Sequence, residues 1–355
     1  MKPLRILVVR NDKLGDFMLA WPALALLKRS LPHSHIAVLV PRYTYDLATQ
    51  CPWVDQVLCD PQDSPQVNRH QFDVVLTLFS TGRVGWQVFK GRIPLRMAPA
   101  TKWAQVFYNH RVVQRRSRSL KPEFEYNLDL AHALLRELGV PPAASEAPFW
   151  PLSASQQAEQ RQLLAPQLGL DAARPWYFVH SGSGGSANNL SVEQFAQLAV
   201  AVQQQLALAQ MPLPQWVLTC GPGEEAQAQA LQDRITQLGQ DQGQDPSRDP
   251  IHSVVYRSTQ GLATFALSLC TASVLVAGST GPLHVAGALN VPTVGFFPAK
   301  RSATPLRWQP CNAPGRTLAF SPSVDAHEAE ATNMASINVL ECAPAIVQWL
   351  RRLGA

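Results

Sequence analysis

A chain of 355 residues is long for one domain and comfortable for two of roughly 150 to 180 residues each. A hydrophobic share of 46% against 15% charged residues excludes a disordered chain, and six scattered cysteines without a CxxC pair (Cys51, Cys59, Cys220, Cys270, Cys311, Cys342) read as reduced core thiols rather than a disulfide framework or zinc site. The net charge is +5, and no apolar run approaches the roughly 18 residues that span a bilayer, so any membrane contact is expected to be peripheral.

Apolar, β-rich runs alternate with helical patterns, which is the mark of stacked βαβ units and parallel sheets. Strands are expected at Arg5–Val9, Ile36–Val40, Val54–Cys59 and Asp73–Phe79, with a helix over Leu19–Leu31 between the first two. The apolar run before Arg10 is too short for a signal peptide. The loop after the first strand, Arg10 to Asp16, lacks GxGxxG but presents Gly15-Asp16 at the mouth of a helix. Asp16 reads equally well there as an N-cap or as a reactive carboxylate.

From Val74 to Pro122 there is no Asp or Glu, yet ten basic residues: Arg83, Lys90, Arg92, Arg96, Lys102, Arg111, Arg115, Arg116, Arg118 and Lys121. The rest of the chain holds 20 Lys+Arg against 25 Asp+Glu, a net −5. A basic block in an otherwise acidic chain points to an anionic partner. Trp86, Phe89, Trp103, Phe107 and Tyr108, interleaved with it, could cover acyl chains or sugar faces. No recognition motif for nucleic acid accompanies the block, so none is expected as a partner.

A helix over Asn127–Leu138 ends at Gly139, and the Pro-, Ala- and Ser-rich stretch Pro141–Pro151 reads as an interdomain connection. A Gln-rich helical segment follows, then strands at Trp176–His180, Gln215–Cys220, Ser253–Tyr256, Val274–Ala277 and Thr293–Phe297. Gln237–Asp249 reads as an exposed loop and Ala343–Leu353 as a closing amphipathic helix. Two strand-to-helix junctions in this half suit a diphosphate. In His180–Ser186 small residues let backbone N–H groups approach an anion, and Ser191 with Gln194 forms a capping box just downstream. In Gly278–His284, Pro282 suits a first helical turn, placing Thr280 and Gly281 at the positive end. His284 reads as well as a structural histidine as a ligand contact.

These junctions carry a family resemblance. ILVVRNDKLGDFMLAWPALALLKRSLP at 6–32, HSGSGGSANNLSVEQFAQLA at 180–199, TCGPGEEAQA at 219–228 and GSTGPLHVAGALNVPTVGFFP at 278–298 resemble glycosyltransferase family 9, the bacterial heptosyltransferases of lipopolysaccharide core assembly. The resemblance implies an α/β protein of the GT-B fold, two Rossmann-like domains facing across a cleft. Residues 1–150 would bind the acceptor and 151–355 the nucleotide-sugar, with the last helix in the second domain or packed back on the first. It implies inverting transfer without metal or cofactor, the nucleotide-sugar being a substrate, ADP-heptose. Asp16 falls on the catalytic base. Ser183, Gly184, Asn188, Glu224, Ser279, Thr280, Gly281 and His284 fall on the donor side, with Glu224 on the ribose. Arg83, Lys90, Arg92 and Lys102 are the expected contacts of an acidic, lipid-linked glycan. The protein is then expected in the cytoplasm, at the inner face of the inner membrane, with its halves closing over the donor.

Two positions depart from the family. Asn188 stands where a Lys or Arg is usual, with Arg301, Arg307 or Lys300 as the candidate replacement, and Ser279 stands where Asp is common. These departures keep open a different sugar donor, or a non-catalytic nucleotide-sugar binder. A nucleotide-sugar epimerase of the same fold would leave the basic, aromatic segment unexplained.

Overall fold

In the computed structural model, which describes residues 2–184, 188–241, 250–323 and 330–354, the chain divides into two units, Met1–Trp150 and Pro151–Ala355. The first is wound on a parallel sheet of β1 (Arg5–Val9), β2 (His35–Pro41), β3 (Gln56–Asp60), β4 (Val74–Thr77), β5 (Leu95–Pro99) and β6 (His110–Val112), ordered β3-β2-β1-β4-β5-β6. Its helices are α1 (Leu14–Met18), α2 (Trp21–Ser30), α3 (Tyr45–Ala48), α4 (Gly82–Lys90) and α5 (Glu123–Glu137). The second sheet comprises β7 (Trp176–His180), β8 (Gln215–Thr219), β9 (Ser253–Tyr256), β10 (Val274–Gly278), β11 (Thr293–Phe296) and β12 (Thr317–Phe320). Its order, β12-β11-β10-β7-β8-β9, repeats the winding of the first, and all pairings are parallel. Its helices are α6 (Ala154–Leu168), α7 (Val192–Leu208), α8 (Glu225–Asp241), α9 (Leu262–Ser268), α10 (Gly281–Ala288), α11 (Pro305–Trp308) and α12 (Val339–Leu353).

The central strands are near-continuous apolar runs because helices cover both faces and leave no wet side. In the first unit Leu7, Val9, Ala37, Leu39 and Val75 pack against Val84 and Val88 of α4. In the second, Tyr177, Val179, Val274 and Val276 lie beneath Phe195, Leu198 and Val202 of α7 and Ile346 and Leu350 of α12. The capping box at Ser191 forms as expected, and Gln194 also donates to the carbonyls of Met334 (2.9 Å) and Ile337 (3.2 Å). All six cysteines are buried and free.

Several expectations need correction. The helix expected over Leu19–Leu31 forms as α2 from Trp21 to Ser30, and the unforeseen element is the short α1, Leu14–Met18, just before it. Pro22 has no N–H, and its ring would clash with a carbonyl four residues back, so it serves the first turn of α2 instead. Strands β5, β6 and β12 were not foreseen. In β5, Arg96 and Pro99 interrupt the apolar run, and β6 and β12 are short edge strands with half-exposed patterns that dilute the alternation a strand shows in sequence. Of the Pro141–Pro151 connection, residues 141–150 belong to the first unit and are packed on it. The Ala143 N–H donates to Ser30 Oγ (2.9 Å), Trp53 Nε1 donates to the Phe149 carbonyl (2.6 Å), and Trp150 is buried against Trp21 with ring centroids 5.2 Å apart. Of the loop expected over Gln237–Asp249, Gln237–Asp241 complete α8, and 242–249 lie outside the described residues.

Candidate active site

In a doubly wound sheet, ligands bind beyond the carboxyl ends of the strands where the strand order reverses. That place lies between β1 and β4 in the first unit and between β7 and β10 in the second.

β1 delivers Arg10, the next residue, into a site where it is only 2% exposed. Its planar guanidinium serves several acceptors at once. Nε donates to Asp12 (2.9 Å), Nη2 to Asp16, and Nη1 to both Glu123 and Asn127 Oδ1 on α5 (3.3 Å each). Asn127 donates in turn to the Leu19 carbonyl (2.9 Å), and Arg116 gives Glu123 a second cation at 2.6 Å. Burial works against the charge on Arg10, but the three carboxylates outweigh it and raise its pKa. For Asp12 the balance is reversed. Burial, with Asp16 adding and Arg10 opposing, pushes its carboxyl up to about 6.

Asp16 lies inside α1, whose N-cap is Lys13, so it does not cap the helix. Its Oδ1 is held by Arg10 while the side chain stays 14% exposed. The carboxylate is thus fixed in orientation and still open to solvent, which is the condition a proton acceptor for a bound hydroxyl requires.

The basic stretch separates into two sets. Arg83 is locked to Asp60 at the end of β3, donating from Nη1 at 2.9 Å and from Nη2, while Asn11 donates to the same carboxylate at 2.6 Å. Arg96 donates to the Phe107 carbonyl (2.9 Å), Arg111 to the Tyr108 carbonyl (3.0 Å), and Lys121 pairs with Asp129. These hold the fold. Lys90, Arg92 and Lys102 point to solvent, with the Lys102 ammonium 5.3 Å from the centre of the Phe79 ring.

In the second unit the loop after β7 is organised by Glu224. Its carboxylate accepts from the N–H groups of Gly184 (2.7 Å) and Gly221 (2.9 Å) and lies 3.9 Å from His180 Nε2. Burial opposes the charge on Glu224, but these donors, the Ser183 N–H and His180 outweigh it and hold its carboxyl below the usual range. A Cβ on Gly182 would fall 1.9 Å from Glu224 Oε2, so glycine there is a requirement of this close approach. Gly185 and Ser186 lie outside the described residues.

α10 opens as expected, with Thr280 as N-cap and Gly281 first. The Thr280 side chain does not cap it, and Pro282 has no N–H, so the N–H groups of Gly281 and Leu283 are the first-turn donors open to an anion. Ser279 is half-buried beside them. His284 is buried, its Nδ1 has no partner among the described residues, and burial pushes its pKa down to about 4, so it is neutral at physiological pH. Asn188 donates to the Thr332 carbonyl (3.2 Å). Of its candidate replacements, Lys300 and Arg301 are exposed, and Arg307 is buried with its guanidinium 5.5 Å from the centre of the Trp308 ring.

Sequence reasoning missed Arg10, Glu123 and Asn127 in the first unit and Asn189 in the second. Asn189 donates to the carbonyls of Ser181 (2.8 Å) and Gly182 (3.3 Å), and its amide fills the space that a Cβ on Gly278 would take. It ties the loop after β7 to the end of β10. A charged residue directly after the apolar run Ile6–Val9 was the available signal for Arg10. Among the described residues no group of three or more His, Cys, Asp or Glu could hold a metal ion.

The model of glycosyltransferase family 9 (heptosyltransferase) matches residues 65–333. A Haemophilus influenzae protein, carrying only the provisional name of glycosyltransferase, is 42% identical over 327 residues, covering 90% of this chain and 89% of its own. Among solved structures, E. coli ADP-heptose LPS heptosyltransferase II has a TM-score of 0.73 at 17% identity, over 99% of this chain and 100% of that one. E. coli heptosyltransferase WaaC with ADP has a TM-score of 0.69 at 15% identity, over 98% and 100%. At such identities these two likenesses establish the fold, GT-B, with its paired parallel sheets.

Proposed function

Since the chain belongs to glycosyltransferase family 9, the heptosyltransferase family, we propose that it transfers heptose from ADP-heptose to an acidic, lipid-linked glycan of the lipopolysaccharide inner core. The transfer inverts the anomeric carbon, needs no metal or cofactor, and takes place in the cytoplasm at the inner face of the inner membrane. The observation that carries this reading is Asp16, held by a buried arginine at the switch point of the first sheet and still reached by solvent.

In the reaction Asp16 takes the proton of an acceptor hydroxyl as that oxygen bonds to the anomeric carbon. The bond from that carbon to the diphosphate oxygen breaks on the opposite side, and ADP leaves with the electron pair. Its growing charge is met by the N–H groups of Gly281 and Leu283 and by the Ser183 hydroxyl, while the Ser183 and Gly184 N–H groups stay on Glu224. Glu224 already accepts from the N–H groups of Gly184, Gly221 and Ser183, but a carboxylate has about four lone-pair sites and keeps capacity for a ribose hydroxyl. Ser279 meets the sugar as a hydroxyl. His284, neutral and buried, supports α10. Arg83, Lys90, Arg92 and Lys102 lie on the acceptor side.

The test is binding and turnover with ADP-heptose, with ADP, UDP, GDP and CMP compared by calorimetry. The expected result is preference for ADP, and an Asp16→Asn variant that keeps ADP affinity but loses transfer. Near-normal turnover of that variant would remove Asp16 as base. The commitment of Asn188 to Thr332, in place of a cation on the diphosphate, favours a second reading as a non-catalytic binder. ADP-heptose binding with no turnover in the unaltered protein would select it.

A further inference from the structure

The surface of the first unit carries a feature that transfer chemistry leaves unused. Trp86 and Phe89 on α4, and Trp103 and Val106 on the short 3-10 helix Trp103–Phe107, are 54%, 46%, 67% and 61% exposed. They are not scattered. Phe107 stands at their centre, with ring centroids 5.8 Å from Trp86, 5.9 Å from Phe89 and 5.7 Å from Trp103.

The arrangement is built into the backbone. A Cβ on Gly82 would fall 2.3 Å from the Trp103 ring, and one on Gly85 2.7 Å from the Phe107 ring. Two glycines in one helix therefore let the 3-10 helix lie against α4, while Val84 and Val88 anchor α4 to the core. Isolated exposed apolar residues need no explanation, but a supported cluster of aromatics marks an interaction surface.

Its neighbours are cationic. Lys90 and Arg92 follow α4, and Lys102 precedes Trp103; all three are exposed. Arg92 (φ 53°) and Lys102 (φ 57°) adopt left-handed backbone conformations that glycine would accept without strain, yet both positions carry a charged side chain. No Asp or Glu occurs from Val74 to Pro122 to neutralise them.

We propose that this aromatic and basic platform docks the protein on an anionic lipid bilayer. The indoles and Phe89 enter the boundary between headgroups and acyl chains, and Lys90, Arg92 and Lys102 face the lipid phosphates. Two features favour lipid over a protein partner: indole rings are suited to the membrane interface, and the exposed Lys90, Arg92 and Lys102 beside the aromatics are all cationic. The proposal rests on the reading that the acceptor is lipid-linked, and it gives that acceptor a surface to be drawn from.

The test uses the full chain with extruded vesicles, either phosphatidylcholine alone or phosphatidylethanolamine with phosphatidylglycerol. Co-sedimentation and tryptophan quenching by brominated lipid report docking, and ADP calorimetry reports the donor site separately. Expected are partition to the anionic vesicles, weak partition to phosphatidylcholine, and release by high salt. Trp103→Ser combined with Phe89→Ser should lower partition at least about tenfold with ADP affinity unchanged, and Trp86→Ser should act in the same direction. Lys90→Ala, Arg92→Ala and Lys102→Ala should each weaken it roughly fivefold. Equal partition to both vesicle types, no partition to either, or no effect of the aromatic variants would overturn the proposal. So would self-association that the aromatic variants abolish in the absence of vesicle binding. Docking without ADP-heptose binding would instead refute the proposed transfer reaction and leave the surface assignment standing.

Discussion

Replacing Arg10 with Met removes the guanidinium that Asp12, Asp16 and Glu123 share, while Glu123 retains Arg116. The side chain of Arg10 is 3% exposed and those of Asp12 and Asp16 are 14% exposed, so water reaches the carboxylates but compensates only in part. Leaving buried charges unpaired in this way costs about 3–5 kcal/mol. For a unit of about 150 residues each kcal/mol lowers the transition by about 2–4 °C, so the loss in Tm is about 6–20 °C. Differential scanning calorimetry of the full chain near pH 7.5 measures it. The double variant with Asp16→Asn should lose less than the sum of the two single changes, by at least about 1 kcal/mol, because the partners are in contact. Arg10 is bonded to Asp16, so on the proposed reaction it positions that carboxylate, and kcat should fall while ADP affinity holds. Arg10→Lys restores the charge but not the fork, and should recover part of the stability but little of kcat. A Tm within about 2 °C of the unaltered protein, or strict additivity in the double variant, would refute the idea of a shared hub.

Three further outcomes are expected. Gly182→Ala forces Glu224 away from its present place, and should weaken ADP binding by about tenfold or more in calorimetry, with the fold intact by circular dichroism. Asp12 has a folded pKa near 6, above its ordinary 3.8, so the native state favours the neutral acid. Ionisation then removes stability as pH rises from about 4 through 6, and Asp12→Asn should gain Tm relative to the unaltered protein across that window; a gap independent of pH would contradict the assignment. Trp150→Ala vacates the contact with Trp21 and should destabilise the first unit by about 3–5 kcal/mol in denaturant titrations.

The sequence announced the parts of the fold that repeat a strong local signal. Ile6–Val9 of β1, Trp176–Val179 of β7 and all of β10 are covered, and as apolar runs they stand out. β6 and β12 border their sheets, face water in part, and look like loop. The same logic divides the candidate site. Gly-rich openings and a Gly-Asp pair are local and were legible; the contact from Arg10 to Glu123 joins residues 113 apart, and nothing in either neighbourhood specifies the other. The basic block shows the converse limit. Composition reveals the excess of charge, but only the coordinates separate Arg96 and Arg111, bonded to backbone carbonyls, from the exposed Lys90, Arg92 and Lys102.

The six buried thiols give the molecule an internal clock. Cys51 and Cys59 lie in the first unit, and Cys220, Cys270, Cys311 and Cys342 in the second. Burial pushes the thiols of Cys51, Cys220, Cys270, Cys311 and Cys342 above their ordinary pKa, which starves an alkylating reagent of thiolate in the native protein. Modification must then wait for local or global opening. Time-resolved alkylation read peptide by peptide would time the opening of each unit separately, in the unlabelled chain, and would show whether ADP slows the four thiols of the second unit alone.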